Sequence, residues 1–138
     1  MTSHPSAGFL RRLGAMFYDF LLLIALHMTV LLVLVRIIGV ALEPVASQPL
    51  VVLETYLFFT FFWLRSGQTL GMLAWKLRIE QDDGARLTLM TANRRLLGAL
   101  LGFVALFIGY LWILFDPDRR AWSDLLSGGR TVVVADAD

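Results

Sequence analysis

Three long apolar runs constrain this chain more than any other feature. They cover residues 13–35, 48–64 and 96–115 of a 138-residue sequence that is 58% hydrophobic and 17% charged. At 1.5 Å per helical residue, the first run of roughly 23 residues spans a hydrocarbon core of about 30 Å. A soluble domain of this length has too little interior to hide so much apolar surface. We therefore expect one all-α integral membrane domain, 1–138, whose first helix is retained because it exceeds a signal-peptide core.

Basic residues between the runs predict the orientation of the chain. Arg11 and Arg12 precede the first run, and only Arg36 lies in the turn-rich connection 36–49. The loop 65–95 carries six more, namely Arg65, Lys76, Arg78, Arg86, Arg94 and Arg95. This excess favours a cytoplasmic N-terminus and a cytoplasmic loop.

The side on which the tail 116–138 lies depends on the third run. Three full crossings, which the sequence favours, place the tail outside. A third run that is re-entrant, or broken at its glycines, would return the tail and its arginines to the cytoplasm.

The cytoplasmic loop carries a strong turn signal. Apolar and polar residues alternate on both sides of Asp83-Gly84, which is the pattern of a β-hairpin with a tight turn. We expect strands at 75–81 and 85–89, followed by a helix capped by Thr91 or Asn93. In the tail, "RRAWSDLLS" predicts a short helix, "GG" its end, and "TVVVA" a β-like segment.

Asp19 is a carboxylate inside an apolar run and requires a partner or a role. An ionised aspartate in hydrocarbon costs at least about 2.5–3.5 kcal/mol, so it should face the bundle interior or water. Arg12 shares its helical face seven residues earlier. The two residues could form a structural ion pair, Asp19 could bind a substrate or cation, or Asp19 could be protonated and unpaired.

His27 and Glu54 would form a series of titratable groups with Asp19 if the first two spans form an antiparallel hairpin. Asp19, His27 and Glu54 would then descend from one leaflet to the other, as a proton- or cation-coupled path requires. The alternative is that His27 bonds a neighbouring hydroxyl, such as Thr60 or Tyr56, and that Glu54 lies near the interface.

Small residues form one stripe on the third run, where they let helix backbones approach closely. Packing against the chain's own first two spans is favoured over homo-oligomerisation through this stripe. Its members are Gly98, Gly102, Ala105 and Gly109.

Several functional classes lack support in the sequence. There are no cysteines, and the net charge is +1, which gives no case for a nucleic-acid partner. Motifs for a nucleophile elbow, a paired-histidine metal site or a phosphate loop are missing, so we expect no catalytic residue, metal, cofactor or intramembrane enzyme activity.

Three motifs in order, "RRLGAMFYD", "SGQTLGMLAWKLRI" and "WSDLLSGGRTVVV", resemble the RDD family of bacterial membrane proteins over about residues 8–134. By position, the signature arginine corresponds to Arg12 and the two aspartates to Asp19 and Asp124, with Asp116 as the other candidate for the second. "GGR" stands where relatives often have "AGT". The resemblance implies a multi-pass protein of the inner membrane.

Two functions are compatible with these features. The resemblance implies a transport-associated role, either cation/proton exchange or small-solute transport, by an oligomer because three crossings enclose an aqueous path poorly. The alternative is a structural or accessory membrane module that organises a partner complex and uses its polar residues as internal ion pairs.

Overall fold

The chain is mostly helical, with one small sheet. A computed structural model describes residues 4–105 and 107–134. Its elements, in order, are α1 (Phe9–Ile38), α2 (Pro44–Ser66), α3 (Leu70–Ala74), β1 (Leu77–Gln81), α4 (Leu89–Val104), α5 (Ile108–Leu111), a 3₁₀ turn (Trp112–Leu114), α6 (Trp122–Ser127) and β2 (Gly129–Val133).

The first two helices contain the first two predicted spans and extend beyond them at both ends. Both are long and apolar enough to cross a membrane, and most of their apolar side chains face outward. Gly39 ends α1 in the left-handed conformation, and Pro44 begins α2 at a position where its missing N–H costs nothing. The connection is therefore shorter than the predicted 36–49.

The third apolar run is not one straight helix. Helix α4 begins at Leu89, and the described chain resumes beyond its end with Phe107 in the left-handed conformation, which turns the direction of the chain. The helix axis bends by 109° between the two arms, Leu89–Val104 and Ile108–Leu114. A Cβ added to Gly102 would lie 3.2 Å from Gly109 Cα, so the arms fold back onto each other. The bent pair agrees with the alternative of a broken or re-entrant third run and not with a single straight helix. The bend lies between Val104 and Ile108, not at Gly102 or Gly109.

The prediction of a β-hairpin is wrong, because the strand before the Asp83-Gly84 turn does not pair with residues 85–89. Strand β1 pairs antiparallel with β2 of the tail, from Leu77 opposite Val133 to Gln81 opposite Gly129. The Asp83-Gly84 turn is present, with Gly84 at φ 71° and its N–H bonded to Gln81 O, but residues 85–88 form no strand. Thr88 caps α4 instead, in place of Thr91 or Asn93.

The N-terminal segment joins the same sheet. Ala7 N–H donates to Thr131 O, and Val133 N–H donates to Pro5 O, both at 2.9 Å. We call residues 4–8, α3, β1, α6 and β2 together the headpiece. Its buried core includes Ala7, Leu77 and Ile79. Since these hydrogen bonds join residues 5–7 and β2 to β1, which follows α2, these three segments lie together at one end of the helical hairpin.

Candidate functional site

Asp124 is the centre of the most buried polar cluster in the described chain. It lies in the first turn of α6 and is 0% exposed. Its Oδ2 accepts the Ala121 N–H at 3.2 Å, which caps the helix, and its Oδ1 accepts the Thr131 hydroxyl at 3.1 Å. The side chain therefore joins α6 to β2 before any charged partner is considered.

Two guanidinium groups complete the environment of this carboxylate. Arg12 from α1 donates through Nη1 to Oδ2, and Arg95 from α4 donates to Oδ1 at 2.5 Å. Arg12 is 7% exposed and Arg95 5% exposed, so both charges are withdrawn from solvent. One guanidinium nitrogen therefore contacts each oxygen of this carboxylate, and such hydrogen bonds between charged groups are stronger than neutral ones.

Both arginines make further contacts inside the headpiece and with its neighbours. Arg12 also donates to the backbone oxygens of Ala7, Arg119 and Thr131. Arg95 also reaches the Thr131 hydroxyl at 2.7 Å and lies 5.5 Å from the centre of the Trp63 ring. These bonds tie α1, α4, α6 and β2 together.

The electrostatics of Asp124 follow from this geometry. Burial alone would raise the pKa of Asp124, but the charges of Arg95 and Arg12 and their hydrogen bonds outweigh it and hold that pKa below its ordinary value. The group is thus held as a carboxylate.

Asp19 has a different partner from the one considered in the sequence. Its Oδ2 accepts the Thr69 hydroxyl at 2.5 Å, and its Oδ1 accepts the Gly71 N–H at 2.8 Å. The ion pair of Arg12 is with Asp124, so the Arg12–Asp19 pair is not formed. Asp19 is 4% exposed and binds the first turn of α3 to α1. Its carboxylate is therefore buried in the protein and has two polar contacts.

His27 and Glu54 lie together on the facing sides of α1 and α2. His27 Nδ1 is 2.8 Å from Glu54 Oε2, and Glu54 is 8% exposed. Thr60 and Tyr56 do not bond His27, because Thr60 donates to Tyr56 O and the Tyr56 hydroxyl donates to Asn93. Within the described chain, Glu54 Oε1 has no hydrogen-bond partner.

The glycines of the third run are packed inside the chain. A Cβ on Gly98 would lie 2.7 Å from Ser123 Cα, and one on Gly109 would lie 3.0 Å from the Trp122 ring. The surface that covers the stripe is therefore α6 and α5, not the first two spans. Ala105 ends α4 and is only partly buried.

Sequence reasoning missed three residues of these sites. Arg95 was counted only toward the charge of a loop, although its place beside the apolar third run is a signal for a buried charge. Thr69 and Gly71 lie in "GQTLG", where a threonine before a short apolar helix is an N-cap signal. Asp116, the other candidate for the second signature aspartate, accepts the Arg120 N–H and is not part of the buried cluster.

The chemistry open to these groups is limited by their partners. Asp124 and Asp19 each use both carboxylate oxygens in protein hydrogen bonds, whereas Glu54 uses one. Across residues 4–105 and 107–134, no three His, Asp or Glu side chains are grouped so that they could hold a metal ion. Among the described residues, Glu54 is therefore a buried acid with one carboxylate oxygen outside any hydrogen bond.

Two apolar helices long enough to cross a bilayer, a bent apolar pair and a polar headpiece define a membrane-type helical protein. The chain belongs to the RDD family, because the sequence profile of that family matches residues 6–128. No curated protein and no solved structure matches the chain.

Proposed function

We propose that the chain is an integral protein of the bacterial inner membrane with its headpiece in the cytoplasm. Helices α1 and α2 cross the bilayer, and the bent α4–α5 pair enters and leaves on the headpiece side. The charge distribution supports this orientation, since Arg36 lies at the far end of α1 while Arg65, Arg78 and Arg86 lie near the headpiece. Exposed apolar side chains on the bent pair, including Phe103 and Ile108, support its immersion in lipid.

Within this frame we propose a transport-associated activity, in which His27 and Glu54 handle a proton or a cation. The observation that supports this proposal is the 2.8 Å distance between His27 Nδ1 and Glu54 Oε2. The other carboxylate oxygen, Oε1, has no hydrogen-bond partner among the described residues. A histidine and a carboxylate in hydrogen-bond contact between two helices are groups of the kind that pass a proton from one to the other. Intramembrane acids and histidines are expensive in lipid and are typical of ion pathways.

A purely structural role for the pair explains the geometry less well. An interhelical lock needs only one bond between the two side chains, and buried acceptors in such locks are normally all satisfied. Glu54 instead retains an oxygen at 8% residue exposure.

The second candidate function is a structural or accessory membrane module. The observation that favours it is that Arg12, Asp19 and Asp124, the signature residues, are all held in hydrogen bonds within the chain. On this account the family signature stabilises a headpiece that partner proteins recognise. The two functions are compatible, because the signature can build the headpiece while the His27–Glu54 pair acts in the helical hairpin.

A transport path would require more than one copy of the chain. Two crossing helices cannot enclose water, so we propose an oligomer. Because Gly98, Gly102 and Gly109 already pack against this chain's own atoms, the exposed apolar faces of α1 and α2 are the surfaces available to a second copy.

Proton flux in proteoliposomes tests the transport proposal. Vesicles with a trapped pH-sensitive dye receive a sodium or potassium gradient, and wild type should change the internal pH. Glu54→Gln should abolish this change, whereas Glu43→Gln, at an exposed carboxylate before α2, should leave it intact. The double variant His27→Gln/Glu54→Gln keeps an interhelical bond but no titratable group, so it should fold and remain inactive. Flux that is absent in wild type, or unchanged in Glu54→Gln, contradicts the proposal.

A further inference from the structure

An open groove of about 620 Å³ lies where α1 begins and where the bent pair ends. One wall is the start of α1, from Gly8 to Arg11, and the other includes Ile113 and Pro117 of the chain that follows α5, with Arg119 beside them. The groove lies before the apolar run 13–35, at the level of the headpiece. It is therefore separate from the faces of α1 and α2 that remain available to a second copy.

The side chains of two arginines give this groove a positive charge. Arg11 and Arg119 line it and are exposed, and neither guanidinium has a hydrogen bond or ion pair within the described parts of the chain. Asp116 also lines the groove, but its Oδ2 accepts the Arg120 N–H at 2.9 Å and lies 3.9 Å from Arg120 Nε. The N-terminus of α1 adds the positive end of a helix dipole. The groove is thus suited to an anion.

The backbone that carries Arg119 is fixed by the buried Asp124 cluster. Arg12, which binds Asp124, also donates to Arg119 O at 2.7 Å. Arg119 has a φ of 54°, in the left-handed region that asparagine adopts more easily than arginine. Since Arg11 precedes Arg12 on α1, both groove arginines extend from a fixed framework. Such a framework lowers the entropy cost of binding, because only the side chains must become ordered.

Apolar side chains continue from the groove toward the proposed bilayer. Leu10 is 77% exposed, and Leu114 and Phe115 are 63% and 79% exposed. In the proposed orientation, α1 enters the bilayer and the bent pair leaves it at this level, where lipid headgroups lie. A small soluble anion would contact the arginines but leave this apolar surface in water. An acidic phospholipid would contact both, since guanidinium groups bind phosphate oxygens and acyl chains cover apolar side chains.

We propose that this groove binds the phosphate of an acidic phospholipid from the cytoplasmic leaflet. Arg11 and Arg119 would contact the phosphate oxygens, and the acyl chains would lie along the apolar surface that includes Leu10 and Phe115. The bound lipid would bridge the start of α1 and the end of the bent pair. This inference is separate from the role of His27 and Glu54, and it rests on the proposed placement of the headpiece at the cytoplasmic surface.

Phosphatidylglycerol is the probe, and phosphatidylcholine with the same acyl chains is the reference lipid without net charge. The full chain is reconstituted in phosphatidylcholine vesicles. Either lipid, spin-labelled near the end of an acyl chain, is then added in an amount below that of the protein. Electron paramagnetic resonance measures the fraction of labelled lipid that the protein immobilises. Wild type should immobilise a larger fraction of phosphatidylglycerol than of phosphatidylcholine.

Removal of both groove charges should abolish this preference. The variant is Arg11→Gln/Arg119→Asn, in which asparagine suits the left-handed backbone. Each basic residue near an anionic surface contributes about fivefold to binding, so the association constant for phosphatidylglycerol should fall by roughly tenfold or more.

Arg86→Gln/Arg94→Gln is the matched control, because it removes the same charge from exposed positions outside the groove. This variant should keep the preference for phosphatidylglycerol. Equal loss of the preference in the two double variants would indicate a general attraction of acidic lipid to the basic surface, and it would overturn the proposal.

Gly8→Trp tests the groove while it keeps both arginines. Gly8 lines the groove, and a Cβ at this position meets nothing within 4 Å, so there is room for a large ring to fill the groove. The variant should unfold close to the temperature of wild type and lose the preference for phosphatidylglycerol, whereas Gly8→Ala should keep it. A preference that survives in folded Gly8→Trp would place the lipid elsewhere on the chain and overturn the proposal.

Further outcomes identify the source of the phosphate and the proposal that has failed. If inorganic phosphate removes the preference and sodium chloride of the same ionic strength does not, the groove is a site for soluble phosphate and the lipid assignment is refuted. Equal immobilisation of both lipids by wild type would refute the groove site but leave the membrane placement and the transport proposal standing. Immobilisation of neither lipid would refute the membrane placement and this inference with it.

Discussion

Asp19 accepts a hydrogen bond from the backbone N–H of Gly71 at 2.8 Å, across 52 residues of sequence. The contact is possible because Gly71 has no side chain. A Cβ at that position would lie 2.2 Å from Ala15 O and 2.8 Å from the Asp19 carboxylate. Helix α3 therefore packs on α1 where Gly71 contacts the buried Asp19 carboxylate, and a side chain at position 71 would not fit.

This contact predicts that Gly71→Ala destabilises the protein. The added methyl group meets backbone on one side, which cannot move aside, and displaces the carboxylate on the other. Overpacking of this kind costs about 1–3 kcal/mol. Thermal unfolding of purified protein in detergent, followed by the fluorescence of its four tryptophans, measures the change.

Gly8→Ala is the matched control, because a Cβ at Gly8 meets nothing within 4 Å and its φ of −69° suits any residue. Its midpoint should stay close to that of wild type. Equal stability of Gly71→Ala and wild type would refute the tight α1–α3 contact.

Removing the charge of Asp124 should be more damaging. Asp124→Asn leaves Arg12 and Arg95 as two buried cations without an anion, and the loss of one partner of a buried ion pair costs about 3–5 kcal/mol. We expect low abundance in membranes and a strongly lowered unfolding midpoint. Asp118→Asn, at an exposed carboxylate, should have little effect. Wild-type stability of Asp124→Asn would contradict the charged cluster described here.

Lowering the pH should remove the stabilisation that the charged Asp124 gives to the folded chain. The pKa of Asp124 is lowered in the folded chain, so the unfolded chain binds a proton more readily and folding stability rises with pH in that range. The contribution is fully present above the unfolded value of about 3.9 and is lost as the pH falls below it through the folded pKa. The stability gap between wild type and Asp124→Asn should be constant near neutral pH and shrink below about pH 4. A gap that is independent of pH would contradict this assignment.

Some elements of this fold can be predicted from the sequence, and others cannot. The two spanning candidates follow from the length and composition of their runs. In the tail, "RRAWSDLLS" predicts the helix, "GG" its end and "TVVVA" the strand. The turn at Asp83-Gly84 was also evident, but the partner of β1 was not. The segment 85–89 resembles a strand locally, yet Thr88 is used as a helix cap, and the β-branched "TVVV" pairs with β1 from about 50 residues away.

The same holds for the polar sites, where the sequence indicates some residues but not all of their partners. Apolar surroundings identify Asp19 as a group that needs a partner or a role. They also place His27 and Glu54 in one polar series, and the geometry pairs these two residues. The partners of Asp19 and Arg12 were wrong because they come from loops and tail segments whose approach depends on tertiary structure. Spacing along one helix favours Arg12 with Asp19, whereas the residue that contacts Arg12 is Asp124, 112 positions away in the tail that pairs with β1.

The shared sheet makes a firm prediction about topology. Because β1, β2 and residues 5–7 are hydrogen-bonded to one another, the loop after α2 and the tail before α6 must lie on the same side of the membrane. The chain has no cysteine, so single cysteines can report this directly. Arg86→Cys and Asp118→Cys lie at exposed positions near the headpiece, and Ala41→Cys lies in the exposed connection between α1 and α2.

A membrane-impermeant maleimide applied to intact spheroplasts should label Ala41→Cys and spare the other two. After lysis, all three should react. Labelling of Asp118→Cys together with Ala41→Cys in intact cells would mean three full crossings, which the pairing of β1 with β2 does not allow. Labelling of Arg86→Cys and Asp118→Cys together, with Ala41→Cys protected, would keep the fold and reverse its orientation in the bilayer.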